Sequence, residues 1–341
     1  MNKIQIIFSV VITGLIIMSS CKSNEENNGT KNNSDSLSSV TKENPLKLKV
    51  EDATDDNYEI GDIISISIED SSIKKTDSVT LLINKENVTV LTSINFSYTW
   101  NSKDTKTGKN LIEIELNKDG SRFRKQHSII LLSDIEPETY TYKVKKVYKH
   151  DVNAYTQGLF YHDGYLYEAT GMKGESTVRK VKLETGEVIQ SFAISKDIFG
   201  EGIVLYDNKI IQLSWEAGKG YVYDFNTFKL LDEFSYIGEG WGICTDNKNL
   251  FMTNGSSQIK VLETQSYSEM YFLEAYDNQG ELKYLNELEY IDDFIYANIY
   301  NYNKIAKIDP TSGKVVAYID LSGILPMNDY TNKTDVLNGI A

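Results

Sequence analysis

Four segments of this chain repeat one pattern, and no other feature constrains its fold as strongly. They read TQGLFYHDGYLYEAT from Thr156, GEGIVLYDNKIIQLSW from Gly200, GWGICTDNKNLFMTNG from Gly240 and NELEYIDDFIYANIY from Asn286. Each starts with a polar or glycine pair, runs through a short apolar stretch to an Asp-containing turn, and enters a second stretch. The turn aspartates Asp163, Asp207, Asp246 and Asp292 are spaced 44, 39 and 46 residues apart. A further hairpin-like element follows each segment: VRKVKLETGEVIQSF, GYVYDFNTFKLLDEF, IKVLETQSYSEMYF and IAKIDPTSGKVVAYIDL. Four strands per unit at about 40 residues is the signature of a β-propeller. One unit cannot bury its faces alone, so the units must stack in a ring.

The stretch DVLNGIA, 335–341, matches the start of another unit. The expected fold is therefore an all-β, five-bladed propeller whose last blade is truncated, with YTYKVKKVY from Tyr140 as that blade's outer strand. With the units aligned, Gln157, Glu201, Trp241, Asn286 and Asn338 each open an innermost strand and ring one mouth of the central channel. This accounts for FGEGIV, where Glu201 stands between two glycines just as a strand begins, a poor composition for a strand interior. The alternative for such polar residues is that they bind water or cap strands.

Residues 46–135 carry a different pattern. LKLKVEDA, IISISIED, SVTLLINK, NFSYTWNS and NLIEIELNKDG alternate apolar with polar at period two, as in a small sandwich. KTGKN and KDGSR read as hairpin turns. By fold-level analogy this is an immunoglobulin-like domain that acts as a spacer or interaction module.

Residues 1–20, MNKIQIIFSVVITGLIIMSS, have the basic start, apolar run and small residues of a secretory signal. The end, IMSSC, resembles a bacterial lipobox. That resemblance implies cleavage before Cys21, lipidation of Cys21 and a membrane-anchored protein. Lys22 after the cysteine resembles lipoproteins sent to the outer membrane of a Gram-negative cell. Residues 21–45 are polar and read as a disordered tether.

The formal net charge of −14 argues against nucleic acid as a partner, because that binding needs a basic face. The three histidines, His127, His150 and His162, have no metal-ligand spacing, and no zinc site can be written from them. A Ser-His-Asp triad lacks its nucleophile-elbow signature. No metal or other cofactor is expected. Cys244 reads as a small buried residue rather than a nucleophile.

The motifs YTQGL, ESTVRKV, FGEGI, GWGICTD, LNELEYI, ANIY and DVLNGIA resemble, in order and spacing, the plant-type glutaminyl cyclotransferases, which also occur in bacteria. The resemblance spans 138–341. It implies a metal-independent enzyme that turns the N-terminal glutamine of a peptide or protein into pyroglutamate and releases ammonia. On this resemblance Glu201 is the acid/base, and Asn286 supplies an oxyanion donor. Gln157 and Asn338 hold substrate, within an aromatic wall of Tyr155, Phe199, Trp215, Trp241 and Tyr300. Tyr300 stands where plant members carry Trp. The family's last-blade lysine would fall beyond Ala341. For the wall aromatics, Trp215 among them, packing between blades is the alternative. A monomer is expected, with a peptide substrate and the membrane lipid as its partners. The competing reading is a non-catalytic propeller lipoprotein that binds peptides or glycans at the cell envelope.

Overall fold

The Asp turns that punctuate the repeats are tight hairpins. Asp163 and Gly164, Asp207 and Asn208, and Asp292 and Asp293 all have positive φ, at 47° and 86°, 48° and 57°, and 47° and 65°. Two left-handed residues in a two-residue loop form the turn whose twist matches that of paired strands. In the third repeat the turn is longer, and the Asp246 carboxylate accepts the N–H groups of Lys248 and Asn249 at 2.8 and 2.6 Å.

The structure, a computed structural model, describes residues 47–51, 57–69, 78–91 and 95–341. The signal-like segment, Cys21 and the tether lie outside the described residues. Among the described residues the protein is all β, apart from a single 3-10 turn at Met327–Asp329.

Each repeat folds as a four-stranded antiparallel meander. The first sheet holds Thr156–His162, Tyr165–Thr170, Thr177–Lys182 and Glu187–Ala193 in chain order. The second holds Gly200–Tyr206, Lys209–Ser214, Lys219–Asp224 and Leu230–Ser235. The third holds Ile243–Thr245, Leu250–Thr253, Gln258–Leu262 and Glu269–Glu274. The fourth holds Leu285–Ile291, Phe294–Ile299, Lys304–Ile308 and Val315–Asp320. Cores form between successive sheets. Phe160, Tyr167 and Val178 pack with Ile203, Ile210 and Tyr223. Ile211 and Leu213 pack with Ile243 and Met252. Phe251 and Val261 pack with Leu288 and Ala297.

The first strands of neighbouring sheets touch, and that of the first sheet also meets that of the fourth. Glycine makes this approach possible. A Cβ on Gly158 would lie 2.8 Å from the Ile203 nitrogen, and one on Gly202 would lie 2.7 Å from the Gly242 Cα. The fourth sheet departs from the series, because Glu287 occupies the glycine position there.

The segment from Tyr140 enters the fold differently from the expectation. Glu138–Tyr140 pairs in parallel with Val315–Asp320, the outer strand of the fourth sheet, and residues 141–155 carry no strand. An unpaired sheet edge offers a row of backbone groups, and this short strand satisfies part of that row.

The N-terminal region forms two facing sheets. One contains Leu48–Glu51, Ile63–Glu69 and Asn95–Asn101. The other has the order Asn57–Glu59, Ser121–Leu132, Gly108–Lys118, Ser78–Ile83, Glu86–Leu91. Ile64, Ile66, Leu81, Ile112, Ile129 and Leu131 fill the space between them. KDGSR is a hairpin turn, with Asp119 and Gly120 at φ 47° and 71°. KTGKN is not. It carries the chain from one sheet to the other, because the strands on either side of it face each other across the core instead of pairing edge to edge.

This crossover docks on the repeats, within the same compact unit, Asn44–Ala341. The Thr107 N–H donates to the Ser312 carbonyl at 2.9 Å, and the Lys109 N–H donates to Glu274 Oε2 at 2.6 Å.

Candidate active site

The backbone at the opening of the inner strands is irregular, and the irregularity aims side chains. Register shifts fall between Thr156 and Gly158, between Gly200 and Ile203, and between Leu285 and Leu288. The bulged residues are Gln157, Glu201 with Gly202, and Asn286 with Glu287. A bulge adds one residue to a strand and redirects its side chain, a device common beside functional sites. The neighbours of these positions are locked together, as the Gly202 N–H donates to the Trp241 carbonyl at 2.8 Å.

Glu201 is 6% exposed. Among the described residues no hydrogen-bond donor meets its carboxyl. Burial pushes its pKa well above the ordinary carboxylate value, and the negative charge of Glu239 adds to the shift. The Tyr155 and Tyr236 hydroxyls lie within its electrostatic reach, and burial first, then Asp335, raises Tyr155 to about 12.

Aromatic rings line the approach. Phe199 meets Tyr155 edge-on at 6.2 Å and Trp215 at 5.5 Å, and Trp241 meets Tyr300 at 5.4 Å. Gly171 and Gly255 leave room for this wall. A Cβ on Gly171 would lie 2.5 Å from the Phe199 ring, and one on Gly255 would lie 2.7 Å from the Trp241 ring. The Tyr155 hydroxyl donates to Asp335 at 2.7 Å.

Three amides join in a row. Asn286 Nδ2 donates to Asn338 Oδ1 at 3.2 Å, and Asn338 Nδ2 donates to Gln157 Oε1 at 2.9 Å. Asn286 is 4% exposed and keeps a second amide hydrogen that this bond does not use. Contacts thus join the expected residues in two groups: Tyr155, Phe199 and Trp215 with Trp241 and Tyr300, and Gln157 with Asn286 and Asn338.

Two further residues escaped the sequence reading. Glu239 Oε2 accepts the indole N–H of both Trp215, at 2.9 Å, and Trp241, at 2.8 Å. A signal for it did exist. Glu239 lies two residues before Trp241, the place held by Tyr155, Phe199 and Tyr284 in the other repeats. The second is Glu287, 1% exposed, whose oxygens accept the N–H groups of Leu159 at 3.2 Å and Ile340 at 2.8 Å. Burial raises its pKa, and those two bonds oppose the rise.

Other titratable groups serve the scaffold. His150 Nε2 lies 2.8 Å from Glu168 Oε1, which also accepts the Thr156 hydroxyl at 2.6 Å. Cys244 is buried, and burial pushes its thiol pKa up, away from the reactive thiolate. Among the described residues no three His, Cys, Asp or Glu side chains converge to hold a metal ion.

The family model for glutamine cyclotransferase matches residues 118–341. The chain is 36% identical over 200 residues to a glutaminyl-peptide cyclotransferase of Arabidopsis thaliana. That match covers 57% of this chain and 62% of the plant protein, so the chain spans about three fifths of that relative's length. The crystal structure of Myxococcus xanthus glutaminyl cyclase superposes with a TM-score of 0.56 at 30% identity, covering 60% of this chain and 88% of that one. With two thirds of its length matched by the family model, the chain belongs to the glutamine cyclotransferase family.

Proposed function

We propose that this protein is a glutaminyl-peptide cyclotransferase, which converts the N-terminal glutamine of peptides or proteins to pyroglutamate. The observation that carries the reading is Glu201, a buried carboxyl of raised pKa at a bulged strand opening equivalent to those of Gln157 and Asn286. In the reaction the substrate's α-nitrogen attacks its own side-chain amide carbon and closes a five-membered ring. The attacking amine must lose a proton, and the leaving nitrogen must gain one to depart as ammonia. A carboxyl whose pKa is raised by burial can take the first proton and return it to the second nitrogen. The spare hydrogen on Asn286 Nδ2 stabilises the oxyanion that forms between the two steps. Gln157 and Asn338 hold the substrate backbone, and Tyr155, Phe199, Trp215, Trp241 and Tyr300 exclude water.

The finer architecture belongs to the same reading. The four meanders are blades of a five-bladed propeller, with DVLNGIA at the start of the fifth, and the N-terminal sandwich is an immunoglobulin-like module. The chain is anchored in the cell envelope by a lipid on Cys21. Mass spectrometry of the mature N-terminus tests the anchor, and an intact residue 1–20 segment would refute it.

The test of activity is ammonia release from a Gln-initiated dipeptide, measured beside Glu201→Gln. Turnover that falls by about 10²–10⁴-fold in a folded variant supports the acid/base role. No turnover from the folded wild type overturns the cyclase reading in favour of a peptide- or glycan-binding propeller.

A further inference from the structure

Glu239 stands out because its two oxygens are used so differently. Oε2 accepts both the Trp215 and the Trp241 indole N–H, at 2.9 and 2.8 Å. Oε1 has no partner among the described residues. Trp215 follows the second strand of the second sheet, and Trp241 opens the third sheet, so one carboxylate oxygen ties two sheets together at the mouth. The link runs through rings that also pack outward, Trp215 on Phe199 and Trp241 on Tyr300. In the aligned repeats the corresponding places hold Tyr155, Phe199 and Tyr284, so an apolar residue fits there. An acid in their place burdens the mouth with charge, and its like-charge effect on Glu201 is one consequence.

The substrate of the proposed reaction arrives with a cationic group. A peptide α-amine has a pKa of about 8 and is largely protonated at neutral pH. Glu239, Tyr155 and Tyr236 lie within electrostatic reach of Glu201, and none of these three is cationic at that pH. Among the described residues Glu239 forms no ion pair, so its charge is not already matched by a cation when an ammonium arrives.

We propose that Glu239 is the recognition and positioning residue for the substrate's α-ammonium: Oε1 receives the ammonium, while Oε2 holds the two indoles that frame it beside Glu201. This inference rests on the cyclotransferase reading and adds a substrate-binding role to it. It makes a primary amine a requirement of binding as well as of chemistry. A charge-assisted hydrogen bond between the ammonium and Oε1 favours the aminated ligand.

The experiment uses equilibrium binding, followed by the fluorescence of Trp215 and Trp241 in the folded protein. Two peptides that cannot cyclise are compared: a Met-initiated dipeptide, whose first side chain is close to glutamine in length, and its des-amino counterpart, in which hydrogen replaces the α-amine. The wild type is expected to bind the aminated peptide at least about tenfold more tightly. In Glu239→Gln, which keeps an acceptor for the indoles but loses the charge, that preference is expected to fall to within about twofold. In turnover, Glu239→Gln is expected to raise KM more than it lowers kcat. The limb of the pH profile set by Glu201 should move to lower pH, because a like charge is gone. A purely structural role for Glu239 would lower Tm and leave the amine preference in place, whereas the pH shift follows from the lost charge in either case.

Equal binding of the two peptides by the wild type, or a preference that survives in Glu239→Gln, overturns the proposal. The wild-type comparison needs no variant to fold. Amine-selective binding without ammonia release would sink the cyclase reading and leave this inference standing. Turnover with no amine preference would do the reverse.

Discussion

A Cβ added to Gly202 would lie 2.7 Å from the Cα of Gly242, so the second and third sheets meet backbone to backbone. Gly242 in turn has no space for a Cβ against the Asn286 carbonyl and the Glu287 Cα. Gly202→Ala and Gly242→Ala are each expected to cost about 1–3 kcal/mol through overpacking, read as a lowered Tm. Gly164→Ala is the control. It has φ +86° but no heavy atom within 4 Å, so only backbone strain of about 1 kcal/mol applies. Equal losses at the three positions would show that close approach is not what requires glycine where the first strands meet.

Asn286 is expected to act in the transition state more than in binding. Its Nδ2 donates one hydrogen to Asn338 and has a second that this bond does not use. Asn286→Ala should lower kcat by about 10²–10³-fold with a small change in KM. A variant with raised KM and unchanged kcat would assign this amide to ground-state binding instead.

Glu289, two residues beyond Glu287 on the same inner strand, predicts a pH-dependent stability. Burial raises its carboxyl from 4.5 to about 7. Below pH 4.5 both folded and unfolded states carry the proton, and the group has no effect. Between 4.5 and 7 the unfolded chain releases a proton that the folded protein keeps, so stability falls as pH rises. Above 7 the accumulated loss is about 3 kcal/mol. Glu289→Gln should therefore be more stable than the wild type at pH 8, with the gap closing towards pH 4.5. Urea midpoints measured across that range check it, and parallel curves for the two proteins would contradict it.

Glu274 joins the N-terminal sandwich to the third sheet. Its Oε2 accepts the Lys109 N–H at 2.6 Å, and its carbonyl oxygen lies 2.5 Å from the Thr107 hydroxyl. Glu274→Ala should cost about 0.5–1.5 kcal/mol, the net worth of one hydrogen bond to a donor that water can reach. It should not alter ammonia release from a dipeptide, since the residue lies outside the mouth. Trypsin digestion is the convenient readout, with faster cutting at Lys106 or Lys109 as the expected result. An unchanged cleavage pattern would mean that the contact does not hold the crossover in place.

Local chemistry determined what the sequence made legible. Asp-Gly, Asp-Asn and Asp-Asp turns need only their own two residues to take left-handed φ, so the hairpins could be read directly. Four repeats of the same grammar then fixed which positions are equivalent, and that equivalence gathered Gln157, Glu201, Trp241 and Asn286 before any contact was known. The glycines at the same place in the first three repeats, Gly158, Gly202 and Gly242, stood out in the same way. What remained depended on which surfaces meet in space. The parallel pairing of Glu138–Tyr140 with the fourth sheet and the docking of KTGKN against Glu274 are contacts between residues more than 160 positions apart. Glu287 looks like a misfit at a glycine position until its carboxylate is seen to accept the Leu159 N–H, 128 residues away. Glu239 was open to the repeat alignment as an acid in an aromatic place. Its partners were not, because one oxygen can serve two indoles only when the fold brings the ends of two separate sheets within hydrogen-bond reach.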